Sequence, residues 1–259
     1  MKFGGFGLIK DYENIKRAGY DFAELDMPEI KELSEQDFEA FVNVVKRENF
    51  PILTGARILP VAEPLFFTEG FDPKSLEAYL KKTCERSAKL GIKKIILGNG
   101  KARSFLQESD IQKERIFIEL LGMMSQIAAD NGQEFILEPL GPKYSNYINT
   151  IPEAVDVIKR VGAANLFTMA DLRHMLWSKE DFKNLVTYVK YIHHVHIDYP
   201  EAYPQRRYPD VSDPYDYGEF FAALKESGYD STLTVEAETP DDWGKAHEQL
   251  MTLLKKYYF

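Results

Sequence analysis

Four runs of apolar and β-branched residues in this chain each finish on a side chain that can bind a proton or a cation. "EFILEP" ends in Glu138, "NLFTMAD" in Asp171, "YIHHVHID" carries His196 near its end, and "TLTVEAE" carries Glu236. A carboxylate closing a buried run is destabilising by on the order of several kcal/mol unless it finds a partner. Gathered at one point, three carboxylates and one imidazole form an oxygen-rich ligand set. Such a set suits one divalent cation of intermediate hardness, Mn²⁺, Mg²⁺ or Co²⁺, better than a thiolate-rich structural zinc. Taken singly, each residue has an ordinary role. Glu138 or Glu236 could be paired with a neighbouring base, His196 could be a hydrogen-bonded core histidine, and Asp171 could cap the next helix. By the period of two, Glu238 shares a face with Glu236 and Asp198 with His196, so either could stand in its place. His193 and His194 lie earlier in their run and read as packing or supporting residues.

A recurring phrase supplies the elements that would position these residues: a charged amphipathic helix, a glycine, then a short apolar or β-branched run. It appears as "IKRAGYDFAEL", "SAKLGIKKIIL", "AADNGQEFILEP", "IKRVGAANLFTM" and "KESGYDSTLTVE". Glycine after a helix is the usual left-handed stop, and the run that follows is too short for a helix. The pattern predicts strands near 3–9, 20–26, 51–59, 92–97, 134–138, 165–170, 192–198 and 232–237, each followed by helical periodicity. Phe38, Phe41, Val42 and Val45 mark one such helix, and Ile116, Ile118, Leu120 and Leu121 another. "NTIPEAVDVIKRVG" is signed at its start by Thr150 as N-cap, Pro152 in the first turn and Glu153 completing a capping box. Eight strand–helix units without a linker predict an α/β fold, a closed (β/α)8 TIM barrel forming one domain over residues 1–259. A doubly wound open sheet fits less well: no G-x-G-x-x-G loop follows a strand, and "GGFGL" falls inside the first one. In a barrel the four candidate residues sit at the C-terminal ends of four successive strands, neighbours about 4.8 Å apart, where active sites are built.

Composition narrows the partners. The net charge of −9 and a pI near 5.2 give no basis for binding a phosphate backbone. A small polar substrate is expected, and no nucleic acid. Cys84 is the one cysteine, so no intramolecular disulfide can form. Spaced by four from Leu80, it reads as a packed helix residue. The N-terminal residues show neither a signal peptide nor a membrane span. The expectation is a cytoplasmic protein with no membrane partner, and a homo-oligomer, dimer or tetramer, is possible.

At these residues the sequence resembles the xylose-isomerase-like family of (β/α)8 proteins, the sugar phosphate isomerases and epimerases, and within it the ketose 3-epimerases of the tagatose and psicose type. The matching elements are "LEPL", "NT-PEA", "ADLRH", "HVHI", "DYGEFFAALKESGYD", the Glu of "TVEAE" and the loop "LGNGKARS", in the family's order along the whole chain. The resemblance selects His196 and Glu236 over Asp198 and Glu238. It implies that Glu138, Asp171, His196 and Glu236 hold one Mn²⁺-like ion and that Glu138 and Glu236 also act as the acid and base. It further implies that His174 contacts substrate oxygens, and that Arg206 or Arg207 does so from the loop after strand seven. The chain departs from the family at Tyr144, where ketose 3-epimerases carry a second glutamate touching the sugar. Tyrosine donates a hydrogen bond but is neutral at pH 7.

The chemistry so implied is proton removal next to a sugar carbonyl through an enediolate, giving epimerisation or aldose–ketose isomerisation; elimination from the same enolate would give a dehydratase. Two long aromatic, Pro-rich segments, "RILPVAEPLFFTEGF" and "YPEAYPQRRYPDVSDPYDYG", could supply a pocket wall and lid through Phe66, Phe67, Tyr199 and Tyr203, or cover barrel edges or a dimer contact. "NGKARS" could offer Lys101 and Arg103 to a substrate phosphate or carboxylate, or leave both in solvent. DNA-repair endonucleases of the same superfamily need more strand-end histidines than five His residues supply. A non-catalytic sugar-binding barrel would have little use for four intact ligand positions.

Overall fold

Glycine ends the helices as the repeated phrase requires. Gly162 and Gly228 adopt φ of 72° and 70° and return their N–H groups to Ile158 O and Lys225 O, closing the helices before them. Gly19, Gly91 and Gly132 are also left-handed. The computed structural model describes residues 1–60 and 64–259. Its strands are β1 (Lys2–Gly7), β2 (Phe22–Asp26), β3 (Ile52–Ala56), β4 (Lys94–Leu97), β5 (Glu134–Leu137), β6 (Leu166–Asp171), β7 (Ile192–Ile197) and β8 (Thr232–Val235). Each pairs in parallel with the next, and β1 closes on β8 through Lys2–Gly5 against Thr232–Val235.

The helices lie outside this barrel: α1 (Tyr12–Ala18), α2 (Met27–Glu32), α3 (Glu35–Glu48), α4 (Glu77–Lys89), α5 (Glu114–Asp130), α6 (Ile151–Val161), α7 (Leu172–Trp177), α8 (Lys183–Thr187), α9 (Gly218–Ser227) and α10 (Trp243–Tyr257). α6 has the expected start: Thr150 Oγ1 accepts from Glu153 N at 3.4 Å, and the Glu153 carboxylate accepts from Thr150 N at 3.2 Å. It buries Ile151, Ala154, Val155 and Ile158, one stripe at helical spacing. Cys84 is buried in α4. No helix among the described residues is long and apolar enough to cross a membrane.

Alternation along the strands divides the core in two. Ile95, Leu97, Phe135 and Leu137 join the large cluster between strands and helices, whereas Ile96, Ile136 and Met169 form a separate cluster inside the barrel. Across the interior, the inward positions of β2, β7 and β8 are polar: Glu24, His194, His196, Thr232 and Thr234 are all buried. The barrel axis therefore has an apolar side and a hydrogen-bonded side.

Several strands stop earlier than the pattern predicts. β3 ends at Ala56 because Arg57 takes a left-handed φ of 52°, although Ile58 N still reaches Ile96 O at 3.0 Å. β1 ends at Gly7, where Asp11 Oδ2 accepts from Leu8 N at 3.0 Å and turns the chain. Phe66 and Phe67 are not a pocket wall. Both are fully buried, packed on Phe117, with Phe67 also against Phe105 and Tyr147. Residues 61–63 of that segment lie outside the described residues.

Candidate metal centre

Glu138 and Glu236 each sit one residue past a strand, yet each keeps its last ladder bond: Glu138 N donates to Leu97 O at 3.2 Å and Glu236 N to Ile197 O at 3.1 Å. Those bonds fix the Cα positions, so both side chains leave the barrel mouth in a set direction. Asp171 ends β6 and also caps α7, its Oδ1 accepting from His174 N at 3.1 Å, which leaves Oδ2 to point inward. His196 lies on β7 beside Asp171 in register. One ligand atom from each of these four residues falls within 4.8 Å of the others. His196 Nδ1 is 3.3 Å from Glu236 Oε2, 3.8 Å from Glu138 Oε1 and 3.9 Å from Asp171 Oδ2.

The donor set fits a divalent cation on a specific ground. His196 Nε2 lies 2.8 Å from Glu24 Oε1, a carboxylate that can only accept, so the Nε2 hydrogen is committed to that bond. His196 Nδ1 then faces three carboxylates with a lone pair. Neither it nor Glu138 Oε1 makes a hydrogen bond, although both are buried. Oxygen and nitrogen lone pairs held this close need positive charge between them. Without an ion a proton serves: although burial disfavours the imidazolium, Glu24, Glu236 and Glu138 outweigh it and hold the His196 pKa well above the usual value.

The two candidate acid/base carboxylates are driven apart. Burial, with the Glu236 and Asp171 charges, pushes Glu138 up to about 7. Burial works the same way on Glu236, but Arg206 and His196 outweigh it and lower its pKa. For Asp171, too, burial is outweighed, here by His174, Arg206 and His196, and its pKa is lowered. Burial brings His174 down to about 4, so its imidazole is neutral near pH 7.

Of the two candidate arginines, Arg206 enters the site. Its Nη1 lies 2.8 Å from Glu236 Oε2 and 3.3 Å from Asp171 Oδ2, and its Nη2 lies 3.2 Å from His174 Nε2. Arg207 points away, pairing with Asp213 and lying 4.1 Å over the Tyr199 ring. Tyr199 is thereby held outside the pocket. Tyr144 lines the cavity, stacked on Trp177 at 5.4 Å and edge-on to His174 at 5.0 Å, and Tyr203 packs on Trp177 at 4.8 Å without lining the cavity itself. Of the alternative ligands, buried Asp198 pairs with buried Arg173, and exposed Glu238 holds the loop by donating its N–H to Arg206 O at 2.8 Å. Arg103 is buried rather than presented to substrate, donating from Nη2 to Glu138 O at 2.6 Å.

One supporting residue, Glu24, carried no motif. Glu24 joins both buried histidines of β7, with Oε2 2.8 Å from His194 Nε2, and His194 Nδ1 continues to Thr232 Oγ1 at 2.7 Å. Glu24 Oε1 is committed to the His196 Nε2 hydrogen, so Glu24 orients a residue of the four-residue group, while its Oε2 lies beside His194 Nε2 without a hydrogen bond. Gly98 makes room for the opening ligand: a Cβ there would fall 2.1 Å from Glu138 Oε2. The one detectable signal for Glu24 is a lone carboxylate in mid-strand in "FAELD", all of whose residues are buried.

The site opens into a cavity of about 530 Å³ bordered by Glu138, Glu236, His174 and Arg206 at one end. Over its whole length the chain superposes on a D-allulose 3-epimerase from Methylomonas sp. in complex with D-allulose, with TM-score 0.83, 18% identity and coverage of 100% of this chain and 97% of that one. A 3-keto-D-glucoside 4-epimerase from E. coli gives TM-score 0.79 at 19% identity, covering 98% and 99% of the two chains. An IolI protein with a bound zinc atom gives 0.74 at 21% identity, covering 100% and 99%. At these identities the likeness is one of fold. A putative hydroxypyruvate isomerase of Drosophila melanogaster is 35% identical over 105 residues, a match spanning 39% of this chain and 38% of that protein. Residues 12–257 match the model of the xylose isomerase-like TIM barrel, and the chain belongs to that family.

Proposed function

We propose that this protein is a divalent-metal-dependent sugar isomerase or epimerase that moves a proton next to a carbonyl, with Glu138, Asp171, His196 and Glu236 holding one ion, Mn²⁺ by preference. The observation that carries this reading is the convergence of those four side chains within 4.8 Å at successive strand ends. The similar proteins described above, two epimerases and a putative isomerase, agree with it. The ion, when bound, polarises the sugar carbonyl, acidifies the adjoining C–H and spreads the charge left behind.

The protein's own groups do the rest. Glu236, held as a carboxylate by Arg206, is suited to take a proton from carbon. Glu138, with a pKa near 7, can hold that proton or return one at neutral pH. Inversion follows when the two act on opposite faces of one carbon, and isomerisation when the proton returns to the neighbouring carbon. Neutral His174 hydrogen-bonds a substrate oxygen, and Arg206 Nη2 beside it keeps the ring oriented. Tyr144, backed by Trp177, shields the reacting carbons from water.

The test is hydrogen exchange from ketoses, aldoses and keto-acids in D₂O with Mn²⁺, read by NMR, in wild type, Glu138→Gln and Glu236→Gln. Each variant keeps a ligand oxygen but loses the base, so exchange falls by about 10² or more while bound metal falls less. Near-normal exchange in both variants with metal retained would leave these carboxylates as ligands only and sink the mechanism.

A further inference from the structure

The cavity is lined by charges of both signs. Beside the acidic residues, three cations border it and follow three successive strands: Arg57 after β3, Lys101 after β4 and Lys143 after β5. On a chain of net charge −9 this is a local reversal of sign at the mouth of the one site described above.

These cations are positioned rather than loose. Arg57 sits at a left-handed φ of 52°, a conformation unfavourable for a side chain of its size, and is held by an ion pair to Asp26, which also caps α2 through a 3.3 Å bond from Glu29 N. Lys143 Nζ rests 4.2 Å from the Trp177 ring centre and 4.1 Å from that of Tyr203, and Trp177 also packs edge-on to His174. Lys101 rides on a loop locked on both sides. Asn99 Nδ2 donates to Leu59 O at 2.8 Å, and Gly100 packs so closely on the β5 loop that a Cβ would fall 2.6 Å from Tyr144 O. Among the described residues neither Lys101 nor Lys143 forms an ion pair.

We propose that the substrate carries an anionic group, a carboxylate or a phosphate, and that Lys101 and Lys143 bind it, with Arg57, already paired to Asp26, beside them. This rests on the reading above that the cavity receives the substrate. A neutral sugar would leave two lysines at the cavity border without a counter-charge, whereas an anionic substrate supplies one. The cavity's volume is that of a small-molecule site.

The test is calorimetric binding to the metal-loaded protein of two matched sets: dihydroxyacetone, its phosphate and hydroxypyruvate; D-fructose, its 6-phosphate and D-fructuronate. Wild type is compared with a Lys101→Ala/Lys143→Ala variant, both positions being exposed. In at least one set an anionic member binds about tenfold or more tighter than the neutral ketose, and that ratio falls about tenfold in the double variant. Preference within the set for phosphate or carboxylate identifies the anionic group. Equal affinities, no binding by any member, or a ratio untouched by the double substitution overturns the proposal. Because affinity is read without turnover, lysine-dependent binding of an anionic member with no hydrogen exchange would support this inference while sinking the proposed reaction.

Discussion

His196 can present Nδ1 to the other three ligands only while its Nε2 hydrogen is held elsewhere, and Glu24 is the group that holds it, at 2.8 Å. Glu24 is therefore a positioning residue for the proposed ion. Glu24→Gln keeps the shape but loses the charge and turns an N–H₂ toward one of two imidazoles. Affinity for Co²⁺, measured by chelator competition, is expected to fall about 10- to 100-fold, and further in Glu24→Ala. Unchanged affinity in both would show that the ring is oriented by packing alone. At this scale the four converging residues were legible because they fall at the ends of short apolar runs, three of them delimited by glycine, with the resemblance choosing His196 and Glu236 over Asp198 and Glu238. Glu24 was not, because attention to strand ends passes over a carboxylate in mid-strand. Choosing Arg206 over Arg207 was beyond the sequence for another reason. Adjacent side chains of an extended loop point in opposite directions, and the loop's path, set by Tyr199 N bonding Arg207 O at 2.8 Å, decides which faces inward.

Between elements, α6 is joined to the segment before α8 by a carboxylate outside the proposed centre. Glu180 Oε1 accepts from Ile151 N and from Asn184 Nδ2, each at 2.9 Å. Burial, reinforced by the Glu153 charge, raises Glu180 to about 7. A folded pKa above the unfolded one means the folded state binds the extra proton. The stabilisation is fully present below about 4.5 and is lost as pH rises through 7. Glu180→Gln can accept the same two bonds without that proton. It is expected to match wild type near pH 4 and to exceed it at pH 8 by on the order of 2–3 kcal/mol, flattening the dependence of Tm on pH. A variant whose Tm falls in parallel with wild type from pH 5 to 8 would place the pH dependence elsewhere. The helices and strands themselves were readable because hydrophobic period and helix-stop glycines agree. Strand ends and the burial of Phe66 and Phe67 were not: they follow from a left-handed Arg57 and from aromatic partners some 40 to 80 residues away along the chain, Phe105, Phe117 and Tyr147.

For the molecule as a whole, the barrel mouth concentrates negative charge that its own cations only partly offset. Glu24, Glu138, Asp171, Asp198 and Glu236 lie within one connected cluster, whose guanidinium groups are Arg173 and Arg206. Mutual repulsion among these carboxylates opposes folding of the metal-free chain, and a bound divalent cation relieves it in the folded state alone, because unfolding scatters the four ligands over about a hundred residues of sequence. Ligand linkage then sets the scale: free metal at a hundred times its Kd stabilises by about 2.7 kcal/mol, which for a chain of this size raises Tm by roughly 5–10 °C. Mn²⁺ and Co²⁺ should give this shift at one ion per chain. Mg²⁺ should give less, since it dehydrates reluctantly and an imidazole is a poor ligand for it. The Asp171→Asn/His196→Ala variant removes two ligands and much of the repulsion together. Its metal-free form should melt no lower than chelated wild type, and it should gain nothing from added metal. Stoichiometric metal bound by that variant, or identical melting of chelated and Mn²⁺-loaded wild type, would rule out a metal centre at these four residues.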